Sequence, residues 1–381
     1  MKRRLAATLS AILIAGLLGA CAEQSPSQTA ASAPENSTSA EIPKEAVDEK
    51  LKIAILLPGL LGDKSFFDAT NEAAPLLESE LRAEVKVVEM GKDQTRWYPT
   101  FVDYCEQDYD LILTVSAPIN DVLTEVSAEF PDQKFMNVAC GAKYDVPENV
   151  YVMESNMGEM GYLAGIVAAL KAKELDENKL GFIGGMDIPD INEFLIGYID
   201  GAQYINADIK VAYSFVGDFA DPSKAKENAL VMYAEVPIIY QAAGGSGLGV
   251  FSAAKEMTEK GKQRFAIGVD SDQAMSLKNS DPETANLIIT STVKQISEST
   301  LEAVIKYTKG EIPFGKQELN GLKDKAISIS KNEFYEKLLS TDNRKLVDEI
   351  EAKIVSGEIK PRISKGLPTE EVEQIRNAVR P

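Results

Sequence analysis

The chain has 381 residues, with 40 Lys and Arg against 59 Asp and Glu, a formal charge of -19. That length holds about two domains, and 44% hydrophobic with 26% charged residues excludes collagen-like, coiled-coil and wholly disordered chains. Histidine is absent, which excludes Ser-His-Asp and Cys-His nucleophiles, His-containing zinc sites and a histidine general base; the acidic balance argues against binding nucleic acid through its phosphates.

Lys2, Arg3 and Arg4 precede a mostly apolar run over 5–18, which is too short for a comfortable membrane span. The run ends in Leu18-Gly19-Ala20-Cys21, which resembles a bacterial lipobox. Residues 1–20 are therefore predicted to be a signal peptide, with cleavage before Cys21 and lipidation of its thiol. Residues 21–49 carry few large apolar side chains and are expected to be a disordered tether spanning about 30 Å. No later stretch approaches 18 uninterrupted apolar residues, so the body is expected to be anchored to a membrane and not to span it. Cys105 and Cys140 are expected to be buried free thiols, the alternative being a disulfide between them, which the export route would permit.

Beyond the tether, short apolar runs predict buried strands over 52–57, 85–89, 111–115, 135–139 and 150–153. Helical spacing predicts helices over 69–81, where Pro75 must kink the helix or mark its first turn, and over 122–130. Asn156 and Glu159 form a capping pair ahead of a stripe of Met160, Leu163, Val167 and Leu170. Further strands are expected over 180–183, 210–215, 237–241, 265–269 and 287–290. Helices fall between them over 191–205, 222–234 and 250–259, and another follows over 293–309. A surface helix with Leu346, Ile350 and Ile354 on one stripe lies near the end. This alternation implies an α/β protein with two doubly wound parallel-sheet lobes. The first is 50–153, with 286–312 returning to it, and the second is 154–285 with 313–381. Facing open sheets place their strand ends around a shared cleft, where ligands usually bind.

Five places carry candidate chemistry. The Gly244-Gly245-Ser246-Gly247 turn fits neither a P-loop nor a dinucleotide fingerprint, and reads either as a tight strand-to-helix turn or as a ligand-facing one. Asp270 ends a strand and can accept two hydrogen bonds from a diol; with Asp272 it does not make a calcium loop, because Met275 stands where the turn glycine belongs. Phe66 and Phe67 follow the first strand and either stack on a flat ring or plug the core. Phe194, opening a helix of the second lobe, offers the opposite plate or is core, and Lys294 follows a strand and is a ligand donor or a surface lysine.

The strings GFIGGMDIPDINEFLIGYIDGAQ (181–203), QAAGGSGLGVFSAAKE (241–256), IGVDSDQ (267–273), ITSTVK (289–294) and GDKSF (62–66) resemble the basic membrane protein family of lipoproteins, also called purine nucleoside receptor A-like. The likeness runs in order over about 51–363. It implies a type I periplasmic-binding-protein fold, two lobes hinged around a small molecule, and a receptor that delivers nucleosides to an ABC importer. By position, Phe66 and Phe194 would sandwich the base and Asp121 would hydrogen-bond it. Asp270 and the Gly244–Gly245 turn would hold the ribose, with Lys294 donating to it. Phe67 stands where the family usually has asparagine, and Ser116-Ala117-Pro118 replaces its common Gly-Phe pair. The alternatives are another flat ring ligand such as a flavin, a carboxylate-based nucleoside hydrolase, or a surface sensor. The resemblance implies no cofactor or metal, permease and ATPase partners, a monomer, and a lipid-anchored place on the outer face of the cell membrane.

Overall fold

The computed structural model describes residues 50–140 and 145–381. The leader, the lipidation at Cys21 and the tether lie outside these residues. The described chain runs β1 (Lys52–Leu57), α1 (Phe66–Asn71), α2 (Ala73–Leu81), β2 (Glu84–Glu89), α3 (Trp97–Cys105), β3 (Leu111–Val115), α4 (Asn120–Glu129), β4 (Phe135–Cys140), β5 (Val150–Ser155) and α5 (Met157–Glu174). It continues through β6 (Lys179–Gly184), α6 (Pro189–Ile205), β7 (Lys210–Phe215), α7 (Pro222–Met232), β8 (Ile238–Ala242), α8 (Leu248–Glu259), β9 (Phe265–Asp270), α9 (Gln273–Leu277), α10 (Pro282–Ala285) and β10 (Ile288–Lys294). The last elements are α11 (Ile296–Thr308), β11 (Lys316–Asn320), β12 (Ile327–Ile329), α12 (Glu333–Leu338), α13 (Thr341–Val355) and α14 (Thr369–Ala378).

The strands form two six-stranded sheets, ordered β11-β5-β4-β3-β1-β2 and β12-β10-β9-β8-β6-β7. All neighbours are parallel except β10 and β12. Strands β3, β8 and β9 are buried along their whole length, as strands covered by helices on both faces must be. The order reverses beside β1 and beside β6, so each sheet has a crevice at its strand ends.

The lobe boundaries differ from those read in the sequence. Span 286–312 was expected in the first lobe, yet β10 pairs with β9 and β12 in the second sheet, its apolar residues covering the edge of β9. The chain crosses only after Lys294. α11 then packs on α2 of the first lobe, and β11 joins the first sheet beside β5 before β12 returns to the second. β11 reads Lys-Gln-Glu-Leu-Asn, an edge strand with no apolar run, and it exists because β5 presents a free edge. Three crossings therefore join the lobes, bridged by Asn156 N–H to Asn320 O (2.9 Å) and Gln295 N–H to Ala326 O (2.9 Å).

Local rules account for the other details. The helix expected over 69–81 breaks at Glu72, leaving Pro75 third in α2, where its missing N–H would have had no partner in the helix. Asn156 caps α5 by accepting the Glu159 N–H (3.1 Å), but the Glu159 carboxylate accepts from Leu322 N–H (2.8 Å) in the hinge and does not close the box. α13 buries Val347, Ile350 and Ile354, and Leu346 is partly exposed.

The second lobe's core centres on α5 against α6. A Cβ at Gly165 would stand 2.2 Å from Tyr198 O, and one at Gly201 would stand 2.0 Å from Tyr162 O. The two helices meet backbone to backbone, which makes α6 a rigid mount for its N-terminal side chains.

Candidate functional site

Asp270 and Lys294 are the last residues of β9 and β10, and the register sets Val293 opposite Asp270. Their side chains form an ion pair at 3.1 Å with only 8% and 7% exposure. Asp270 holds φ +67°, a left-handed conformation rare for a residue with a Cβ and frequent at ligand sites. The buried Ser65 hydroxyl, from the first lobe, donates to Asp270 Oδ2 at 2.9 Å.

Two aromatic rings face the Lys294 ammonium, the Phe66 centroid at 4.8 Å and the Phe194 centroid at 5.4 Å. Phe66 opens α1 in the first lobe and Phe194 lies in the second turn of α6 in the second. Phe194 is 2% exposed and meets Tyr240 edge-on behind it, so it is both core and wall. Phe67 sets its ring edge-on to Phe66 at 5.5 Å and lies over Gly59, where a Cβ would fall 2.2 Å from the ring. That ring packs on the first-lobe core.

The loop bearing Ser65 is prebuilt. The Asp63 carboxylate accepts from the N–H groups of Ser65 (3.0 Å), Phe67 (2.9 Å) and Asp68 (3.1 Å), and Asp68 accepts from those of Gly62 (2.7 Å) and Lys64 (2.9 Å). Burial pushes the Asp63 carboxyl up, and the three N–H donors pull it back. The Lys64 carbonyl accepts from two groups of the second lobe, Ser271 Oγ (2.9 Å) and Gln273 Nε2 (3.0 Å). Gln273 is fully buried, and its Oε1 accepts from Gln241 Nε2 (2.7 Å) and Val269 N–H (3.0 Å). At the rim Lys92 pairs with Asp218 at 3.0 Å. The lobes are thus closed on one another, with Asp270 and Lys294 inside.

Gly244 has φ +54°, which glycine alone adopts freely, and a Cβ at Gly245 would sit 3.5 Å from Asp63 Cβ of the first lobe. The turn is therefore both tight and turned toward the cleft. Asp121 lies exposed in the first turn of α4, and among the described residues no hydrogen bond or ion pair joins it to this cluster. Asp272 is engaged elsewhere, capping α9 through Met275 N–H and accepting both its bonds from Asn332 Nδ2 at 2.8 and 2.9 Å. Among the described residues no group of three His, Cys, Asp or Glu has the arrangement of a metal site.

Sequence reasoning missed Ser65, Gln273 and Gln241, although all three lie inside the strings it singled out. It also missed the pair Glu154–Lys365 (2.5 Å), in which the C-terminal segment reaches the end of β5 in the first lobe. Glu193 holds the same segment, accepting from Lys365 N–H and from Ser364 Oγ (3.2 Å). Nothing in residue type or spacing marks these contacts.

Two parallel α/β lobes joined by three crossings and closed over an aromatic-walled charged pair define a hinged solute-binding protein. A solute-binding protein of an ABC transporter system from Aeropyrum pernix superposes with a TM-score of 0.74 at 26% identity, covering 86% of this chain and 97% of that one. Residues 50–362 match the Bmp family, described as ABC transporter substrate-binding protein PnrA-like. The chain belongs to that family, whose members are substrate-binding proteins of ABC systems and not enzymes. Basic membrane protein A of Borreliella burgdorferi is 28% identical over 311 residues, 81% of this chain and 86% of that one. The ABC transporter nucleoside-binding protein BmpA of Lactococcus lactis is 31% identical over 255 residues, 65% and 71% of the two chains. As a substrate-binding protein of an ABC system, the chain works with permease and ATPase subunits.

Proposed function

We propose that this protein is a lipid-anchored receptor on the outer face of the cell membrane, binding a nucleoside between its lobes and presenting it to an ABC importer. The observation that carries the reading is the pair of rings, Phe66 and Phe194, contributed by different lobes and both facing the Lys294 ammonium. A base between such rings makes binding and closure one event. Asp270, Lys294 and the Gly244–Gly245 turn supply an acceptor, a donor and close backbone for a ribose, and Asp121 is the proposed partner of the base. The nucleoside-binding name of the Lactococcus lactis relative supports the same ligand class. The anchor rests on the lipobox-like string at Cys21; no helix among the described residues is long and apolar enough to cross a membrane.

Native mass spectrometry of the purified chain identifies any co-purifying ligand, and calorimetry with guanosine, inosine and their free bases measures the contacts. Stacking is worth about 1–3 kcal/mol per aromatic, so Phe66→Ala is expected to weaken binding about tenfold to a hundredfold for nucleoside and base alike. Binding to no nucleoside, or a silent Phe66→Ala, rejects the reading. Cys21→Ala is expected to move the protein to the soluble fraction, and retention in the membrane rejects the anchor.

A further inference from the structure

Asp190 is the second residue of α6 and lies one turn before Phe194. Residues four apart share a helix face, so Asp190 lies on the Phe194 face of α6, within electrostatic reach of the Lys294 ammonium that the Phe194 ring faces. Among the described residues its carboxylate has no hydrogen bond and no ion pair. It is nevertheless partly buried, and burial pushes its carboxyl up. Lys294 and Lys365 lie within electrostatic reach and pull it back, and Glu154 adds repulsion.

The charges nearest to Asp190, and Asp63 across the cleft, have close partners. Asp270 holds Lys294, Glu154 holds Lys365, and Asp63 is ringed by three backbone N–H groups. Asp190 is therefore a carboxylate beside the cleft that no hydrogen bond or ion pair engages among the described residues, its only compensation coming at longer range from two lysines that already hold other carboxylates. A neutral ligand with hydroxyl or N–H groups can donate to such an acceptor, whereas a phosphate brought beside it meets a like charge where water screens poorly.

We propose that Asp190 is a specificity residue that excludes anionic ligands, nucleoside phosphates above all, from the cleft. The proposal rests on the nucleoside reading above. It gives the receptor a way to tell a nucleoside from its nucleotides with no contact to the base.

The test is calorimetry on the full chain in detergent, wild type and Asp190→Asn, with guanosine and guanosine 5′-monophosphate. One like charge at about 7 Å in an effective dielectric of about 20 is worth more than tenfold in affinity. The wild type is expected to prefer guanosine strongly, and Asp190→Asn to narrow the ratio of the two affinities by about tenfold or more. Asp190→Ser, checked by thermal melting, is expected to do the same and covers the case in which the amide variant misfolds. If the wild type binds guanosine and the ratio is unchanged in a folded variant, this inference fails and the nucleoside reading stands. If the wild type binds no nucleoside, the nucleoside reading fails and this inference goes with it.

Discussion

Asp270→Asn separates the stability of the fold from the stability of closure. Asp270 and Lys294 sit on adjacent strands of the second lobe, but Ser65 and Phe66 of the first lobe cover them. At 3.1 Å and an effective dielectric of about 20 their Coulomb attraction is about 5 kcal/mol, much of it offset by the loss of hydration. Removing one partner of a buried pair typically costs about 3–5 kcal/mol, because the other charge stays buried alone. Asp190, within reach of Lys294, holds the cost near the lower end. Opening the lobes rehydrates the Lys294 ammonium, so the penalty falls on the closed arrangement and not on the unfolding of either lobe. Asp270→Asn is thus expected to weaken ligand binding about a hundredfold or more and to leave the melting temperature nearly unchanged. In small-angle scattering the variant should stay expanded at ligand concentrations that compact the wild type. Adding Lys294→Met removes the stranded charge, so compaction should return even though the ligand loses two contacts. Equal compaction of Asp270→Asn and wild type refutes the reasoning, as does a double variant no more compact than the single one.

Glu193 is raised by burial against the donors from Ser364 and Lys365. Its folded-state pKa exceeds the ordinary 4.5, so its contribution to stability is full below about 4.5 and is lost as pH rises through the folded value. Glu193→Gln keeps an acceptor and removes the titration; its melting temperature relative to wild type should rise between pH 4 and pH 7, and a flat difference counts against the buried carboxylate. Cys105 is a free thiol pushed up to about 12, mainly by burial. Peptide mapping after alkylation at pH 8 should find it labelled far more slowly in the native protein than in denaturant, and rapid native labelling rejects that environment. Gly244→Ala must adopt φ +54° with a Cβ, at a cost of about 1–2 kcal/mol, and should lower the denaturant midpoint without changing the slope. An unchanged midpoint would mean that the turn relaxes to another conformation.

Strands β1, β3, β8 and β9 were legible because a strand buried on both faces must be apolar throughout, and that demand is local. Their alternation with amphipathic helices was enough to call two parallel lobes. The candidate residues were legible for a different reason, since strand ends and strand-to-helix turns of an open sheet face its crevice wherever the partner lobe stands. Lys294 was ambiguous for the same reason: a lysine after a strand looks like a surface lysine until a second lobe covers it.

The sequence by itself determined the α/β class, the strand and helix alternation, and the short list of aromatic, acidic and glycine positions at the strand ends. That β10 belongs to the second sheet and that a polar segment, β11, completes the first was settled by the fold, because which free edge a strand joins is not written in its own residues. The fold also decided which contacts join the lobes. Ser65 to Asp270, Lys64 to Gln273 and Glu154 to Lys365 pair residues about 205 to 211 positions apart, and no periodicity along a chain encodes such a meeting. It exists only once two separately folded sheets have closed and shut water out from between them.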